Sequence, residues 1–365
     1  MYGISKALKK LGAEVHLVTI KREAETTSDE EIFVHELPIS PKANLFRKSL
    51  SLTTLLLYVF NKIKKHYGKI DIIHSHYTTT SFAPPIYKHL SGENSLIVRH
   101  YHNIPRYYEI NKVLANVYNI HLAVSEYIRQ HVIVKMLKVD PNKVDVAYNA
   151  VDTEFFKPCT QSEKTEKRIR LGVEDTDFVI TFAGRIVPEK GIHHLLLALR
   201  ILKQKDYRFK VIIAGPMGNF DAENPKGYPR LCFELLSKLN LSRNVKYIGK
   251  LNMGSIRELH CVSDLVVVPS LETDACPSVV LEAMAMGRPI VAYASGGIPE
   301  LIPPYGGIVV NKKDPRLLAK AIEMVLQGSV TFSESTITEW IKERFSYKTV
   351  AKKMLEVFIR NLNRG

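Results

Sequence analysis

Short apolar runs alternate with stretches of helical periodicity through most of the chain. In the first half the runs predict strands at Val15–Thr19, Ile32–Leu37, Ile70–His74, Leu96–His100, Ile120–Ala123 and Val144–Ala147. In the second half they predict strands at Phe178–Ala183, Val211–Ala214, Val245–Ile248, Leu265–Pro269, Pro289–Ala292 and Ile308–Val310. Several runs, such as FKVIIAG and DLVVVP, are continuous in Val, Ile and Leu. Strands of that kind are buried on both faces, as in parallel sheets. Their alternation with helical segments predicts an α/β protein with doubly wound parallel sheets.

The pattern breaks near residues 155–172, where FKPCTQSEKTEKRIRLG is polar and highly charged and reads as a linker. The expected organisation is two Rossmann-like domains, 1–160 and 161–345, with a cleft between them as the default ligand site. A final helix, 346–365, carries Val350, Met354, Val357 and Phe358 on one face. It is expected to cross back onto the first domain. No repeat of 20–50 residues is visible.

Charge adds an anionic partner to this picture. The 365 residues hold 51 Lys plus Arg against 37 Asp plus Glu, a net +14. The excess concentrates between Leu37 and Ile70, which has no acidic residue but carries Lys42, Arg47, Lys48, Lys62, Lys64, Lys65 and Lys69. Leu55, Leu56, Leu57, Val59 and Phe60 give the same stretch an apolar face. It reads either as a helix at an anionic membrane surface or as a helix packed on the sheet with a solvated basic face. No aromatic-interleaved basic strand or recognition motif points to nucleic acid. Cys159, Cys232, Cys261 and Cys276 form no metal spacing and read as reduced thiols. No apolar run reaches the ~18 residues that span a bilayer, and the N-terminus lacks a signal-peptide stretch. The expected location is cytoplasmic, with a peripheral position on the inner face of the membrane as an option.

Two segments carry candidate chemistry. In AGRIVPEKGIHHLLLALRIL a strand ends at Ala183, a loop contains Gly184, Arg185 and Lys190, and a helix begins near Ile192. Two cations beside a helix N-terminus can neutralise a diphosphate. In PSLETDACPSVVLEAMAMGRPIVAYASGGIPELI, Pro277 suits a first helical turn. The amides of Ala275, Cys276, Pro277 (lacking its own N–H), Ser278 and Val279 surround a second anion-favouring helix start. Asp274 precedes that helix and Glu282 lies within it; a carboxylate can accept both hydroxyls of a ribose. Ser295-Gly296-Gly297-Ile298-Pro299-Glu300 repeats the strand–loop–helix design.

Together these motifs resemble the retaining glycosyltransferases of family 4, which have the GT-B fold of two Rossmann-like domains. The resemblance rests on G-R-x-x-x-x-K-G at residues 184–191, acid-x₇-E at Asp274 and Glu282, and G-G-x-P-E at residues 296–300. It implies that Gly184, Arg185 and Lys190 bind the diphosphate of a nucleotide sugar, that Glu282 holds the ribose, and that Ala275–Val279 contact sugar and phosphate. It implies contacts to the base near Tyr247–Leu251. Asp274 stands where the family has a longer Glu facing the donor sugar, a change expected to affect sugar choice or rate. In the first half DIIHSHYTTTSFAP, with His74 and His76, and LIVRHYHNIP, ending in His102 and Asn103, resemble the family's segments. His102 is implied at the sugar and acceptor side. Asn149-Ala150-Val151-Asp152 through Phe156-Lys157-Pro158 resembles a further motif, with Ala150 replacing Gly.

The implied reaction is retaining transfer of a hexosyl group, UDP- or GDP-linked, to a sugar, lipid-linked or other hydroxyl acceptor. Catalysis falls to His102, Asp274, Arg185 and Lys190, with no tightly bound cofactor and no metal. The alternatives are a nucleotide-sugar-binding regulatory subunit that is inactive or partner-dependent, and a sugar phosphorylase or epimerase on the same fold. Family members open with a strand and a Gly-rich loop, whereas MYGISKALKKLGAEVHLVT begins inside what resembles the first helix. The strand and loop, about 15–20 residues, are expected to be missing, which would open a sheet whose first strand is central. A mis-assigned start and a genuine lack of the element both fit.

Overall fold

A computed structural model describes residues 1–20, 32–37, 45–105, 107–218 and 226–363. They divide into two compact units: Met1–Ala150 with Tyr347–Gly365, and Val151–Ser346. Unit 1 runs α1 (Tyr2–Lys10), β1 (His16–Ile20), β2 (Phe33–Leu37), α2 (Leu45–Tyr67), β3 (Ile72–Ser75), α3 (Ala83–Ser91), β4 (Leu96–Tyr101), α4 (Tyr108–Val117), β5 (Ile120–Ala123) and β6 (Val144–Val146). Unit 2 runs α5 (Gln161–Leu171), β7 (Phe178–Ala183), α6 (Ile192–Gln204), β8 (Phe209–Ala214), α7 (Gly227–Lys238), β9 (Val245–Tyr247), α8 (Met253–Val262), β10 (Leu265–Val268), α9 (Ser278–Ala285), β11 (Ile290–Tyr293), α10 (Ile298–Leu301), β12 (Gly307–Val310), α11 (Pro315–Leu326) and α12 (Glu334–Phe345). The last helix, α13 (Tyr347–Leu362), returns to unit 1. Every strand expected from the apolar runs is present, with ends shifted by no more than two residues, and every described pairing is parallel.

Unit 1 holds its strands in two sheets, β1-β2 and β3-β4-β5-β6. Among the described residues no ladder joins β1 to β3. Helix α2 spans both pieces. Its Leu52, Leu56, Val59, Phe60 and Ile63 share one core with Leu37 of β2, Ile73 of β3 and Ile97 of β4, and Leu55 and Leu57 pack against it. These apolar side chains pack within the unit, while Leu50 and Tyr58 of the same helix stay exposed. Lys42, Arg47 and Lys48 have side chains outside the described residues. Lys64 pairs with Glu93 at 3.0 Å and Lys69 with Asp71 at 3.6 Å. On the opposite face Ile4 of α1 and Val350, Met354, Val357 and Phe358 of α13 pack on Leu96, Val98, Ile120 and Leu122. No described helix is long and apolar enough to cross a membrane.

Unit 2 is one six-stranded sheet in the order β12-β11-β10-β7-β8-β9. Its inner strands β11, β10, β7 and β8 are buried almost throughout, as their unbroken apolar runs require. Two expectations fail here. Residues 161–171 of the presumed linker form helix α5, started by a capping box in which Thr160 and Glu163 satisfy each other's backbone N–H. Its Arg168 is buried and donates to the Asp175, Asp177 and Val262 carbonyls and to Asp264 at 2.6 Å. Arg168, with Lys164 on Asp264 at 2.7 Å and Lys167 on Glu258 at 3.4 Å, thus fastens a helix of polar composition. The second failure concerns the thiols. Cys159 and Cys261 form a disulfide across 102 residues, with Cα atoms 5.7 Å apart, while Cys232 and Cys276 are buried and outside any disulfide. Only the fold brings the start of unit 2 against α8, so spacing in sequence carries no trace of the pair.

Candidate functional site

The six-stranded sheet reverses direction at β7. The chain moves outward through β8 to β9, then returns to the other side of β7 with β10. At such a switch point the loops leaving the two central strands diverge, and a crevice opens beyond their carboxyl ends. The loop after β7 holds Gly184, Arg185 and Lys190; the loop after β10 holds Asp274 to Pro277. The structure therefore gathers these candidate residues at one end of the sheet.

Backbone contacts bind the two loops. Leu271 N donates to Glu189 O at 2.8 Å. Gly191 starts α6 with φ +69°, and a Cβ there would lie 1.9 Å from Pro269 O. Only glycine permits that approach. The third loop joins at Gly296, where φ is +60° and a Cβ would lie 2.4 Å from Asp274 O. The next amide, Gly297 N, donates to that same oxygen at 2.9 Å. The glycines of the G-G-x-P-E segment thus hold the Asp274 backbone.

The side chains follow from this frame. Lys190 Nζ makes an ion pair with Asp274 Oδ2, and Ser270 Oγ donates to the same oxygen at 3.3 Å. A cation from the β7 loop and an anion from the β10 loop therefore meet across the switch point. Arg185 is 62% exposed, with Glu189 at 3.5 Å. Ala275, Cys276 and Pro277 are buried, Val279 is half-buried and Ser278 is exposed. Helix α9 starts at Ser278 with Pro277 in the cap position and no side-chain cap. Its first N–H groups have no carbonyl within the helix to bond. Glu282 lies in α9, half-buried, 3.9 Å from Nε2 of His260. His260 in α8 is fully buried and neither ring nitrogen has a hydrogen bond among the described residues. Sequence reasoning missed it, because a lone His inside a helix carries no motif. Tyr247 at the end of β9 donates its hydroxyl to Gly215 O at 2.6 Å, and burial raises its pKa. Leu251 packs against the core formed by Val179, Ile212, Ala214 and Leu259, as do Ala183 and Ile248.

His102 belongs to unit 1, just past β4. Its Nδ1 lies 3.3 Å from Asn149 Oδ1 and its Nε2 2.9 Å from His76 Nδ1. Burial lowers its pKa, so the ring is neutral near pH 7. His74 and His100 stand beside it in a cluster of four rings.

Parallel strands with helical crossovers in both units, and a second unit wound in the dinucleotide-binding order, define the GT-B class of glycosyltransferase fold. Residues 1–155 match the model described as Glycosyltransferase Family 4, and residues 163–342 match Glycosyl transferases group 1. The chain belongs to this glycosyltransferase family and is a glycosyl-transferring enzyme. A protein of Methanocaldococcus jannaschii named an uncharacterized glycosyltransferase is 26% identical over 98% of this chain and 92% of its own. The D-inositol 3-phosphate glycosyltransferase of Stackebrandtia nassauensis is 27% identical over 88% of this chain and 76% of its own. Among solved structures, an Anabaena protein in complex with UDP and glucose superposes with a TM-score of 0.78 at 20% identity, over 98% of this chain and 95% of that one.

Proposed function

We propose that this enzyme moves a hexosyl group from a nucleoside-diphosphate sugar to a hydroxyl acceptor with retention of configuration. The observation that carries the reading is the Lys190–Asp274 pair at the switch point, beside the uncapped start of α9. Arg185 and Lys190 take the diphosphate, and Gly184 lets it approach the backbone. The α9 N-terminus, from Ala275 to Val279, adds donors and a favourable dipole. Glu282 accepts the ribose hydroxyls, and the segment Tyr247–Leu251 lines the base. Asp274 divides its carboxylate between Lys190 and the sugar. His102, neutral, offers a hydrogen bond on the sugar and acceptor side.

In the reaction the anomeric C–O bond to the diphosphate breaks and its electron pair stays on the phosphate oxygen. The acceptor hydroxyl attacks the same face and gives its proton to that oxygen. Fixed cations around the departing diphosphate stabilise the charge as it develops. The Anabaena neighbour's UDP supports a nucleoside diphosphate, and the Stackebrandtia relative's name supports a polyol phosphate as one acceptor class. The basic residues of α2 fit a lipid-linked or anionic acceptor, or an anionic membrane surface.

Thermal unfolding with UDP, GDP and ADP tests the donor site. A ligand at a hundred times its Kd adds about 2.7 kcal/mol. Lys190→Ala should remove that shift and lower transfer on the order of 10²-fold. A loss below threefold removes Lys190 from the mechanism. Donor binding with no transfer to any acceptor would favour a regulatory subunit. Turnover without acceptor-dependent release of nucleoside diphosphate would favour a phosphorylase or epimerase.

A further inference from the structure

Unit 1 contains a group of four histidines, of which the transfer reaction proposed above uses His102 alone. His74 and His76 lie two residues apart on β3 and just past it; His100 and His102 stand in the same relation to β4. Successive side chains of a strand point to opposite faces, so residues two apart share one. The parallel register pairs His74 with Val98 and Ser75 with Arg99, which sets position 76 opposite 100. All four rings are therefore delivered to one face of the sheet. Their centroids lie 4.1 Å apart for His74–His76, 5.3 Å for His74–His100 and 5.3 Å for His76–His100.

Hydrogen bonds fix which nitrogens carry lone pairs. Nε2 of His100 donates to Ala147 O at 3.0 Å, which leaves its Nδ1 a bare acceptor. Asn149 Oδ1 takes the Nδ1 proton of His102, so His102 Nε2 accepts from His76 Nδ1 at 2.9 Å. That leaves a lone pair on His76 Nε2. Two nitrogens of the cluster are conspicuous. His74 Nε2 and His100 Nδ1 are shut off from solvent and have no hydrogen-bond partner among the described residues. A buried polar atom left so costs about 1–3 kcal/mol. Two such atoms in one cluster, with no carboxylate in it, ask for a partner that accepts lone pairs.

We propose that His74, His76 and His100 bind a divalent transition-metal ion of the zinc type. One nitrogen from each ring lies within 4.8 Å of the others. Ligands on a tetrahedral ion with Zn–N bonds of ~2.0–2.1 Å are about 3.3 Å apart, so the rings close on the ion by movements of roughly an ångström. Neutral imidazole is the ligating form, and burial holds all three rings neutral. Ala147 O and His102 receive the second N–H of His100 and His76, the arrangement that orients metal-bound imidazoles. The ion ties the carboxyl ends of β3 and β4 together, and the site is independent of the nucleotide reading in unit 2.

Equilibrium dialysis of the full chain against Zn²⁺, with X-ray absorption of the loaded protein, tests this. The expected result is one ion per chain with nitrogen neighbours at ~2.0–2.1 Å. His74→Gln and the half-buried His76→Gln should each weaken binding on the order of 10²-fold, with folding checked by circular dichroism. His16 and His35, which approach to 3.0 Å on β1 and β2, form the control: His16→Ala with His35→Ala should leave binding unchanged. No bound ion, undiminished binding in both folded Gln variants, or loss in the control overturns the proposal.

Discussion

Gly191→Ala tests the close approach on which the switch-point loops depend. Gly191 and Gly172 have nearly the same backbone, φ +69° and +70°. A Cβ at Gly172, the cap of α5, meets nothing within 4 Å, whereas at Gly191 it meets Pro269 O at 1.9 Å. Gly172→Ala therefore reports left-handed strain alone, about 1–2 kcal/mol. Gly191→Ala adds a backbone clash that must open by at least about an ångström, costing about 1–3 kcal/mol as for overpacking. Opening the loops also breaks Leu271 N to Glu189 O, about 1 kcal/mol. The change in the unfolded chain is common to both variants and cancels. The expected difference is about 2–4 kcal/mol. Urea denaturation measures it as a fall in midpoint at constant slope, and both residues lie in unit 2, so one transition reports both. Gly191→Ala should also weaken nucleoside diphosphate binding while Gly172→Ala leaves it intact. Equal stabilities within about 0.5 kcal/mol would refute the close approach.

Two further outcomes follow from buried charge and polarity. Arg168→Met should destabilise unit 2 by about 3–5 kcal/mol, because Asp264 loses a buried partner and three carbonyls lose their donor; a loss under about 1 kcal/mol in the urea midpoint would contradict the pairing. His121 of β5 is fully buried beside Tyr101, Tyr118 and Arg99, and its pKa is pushed down to about 3, first by burial and then by Arg99. The folded state thus refuses a proton that the unfolded chain binds below about 6.5, so stability falls as pH drops from about 6.5 toward 3. His121→Phe should remove about 2 kcal/mol of the stability lost between about pH 7 and pH 5; identical pH slopes in wild type and variant would reject that burial.

How much was legible follows from the range of the interactions. Local sequence determined the strands, because a run buried on both faces must be apolar throughout, as in Leu265–Val268 or Val211–Ala214. It placed Arg185, Lys190 and Asp274 at strand ends, since turn residues and glycines mark where a strand gives way to a helix. It put Val350, Met354, Val357 and Phe358 on one helical face. The fold alone decided what those residues meet. Lys190 and Asp274 are 84 residues apart, and only the reversal of strand order at β7 joins them. Cys159 and Cys261, Arg168 and Asp264, and Glu282 and His260 are likewise partners without a spacing rule. The capping box of α5 was present in the letters, but its polar composition masked a helix anchored by the buried Arg168 guanidinium and the ion pairs of Lys164 and Lys167. The four histidines alternated visibly along two strands; that they share one face is set by the register between neighbouring strands, a pairing no single segment encodes.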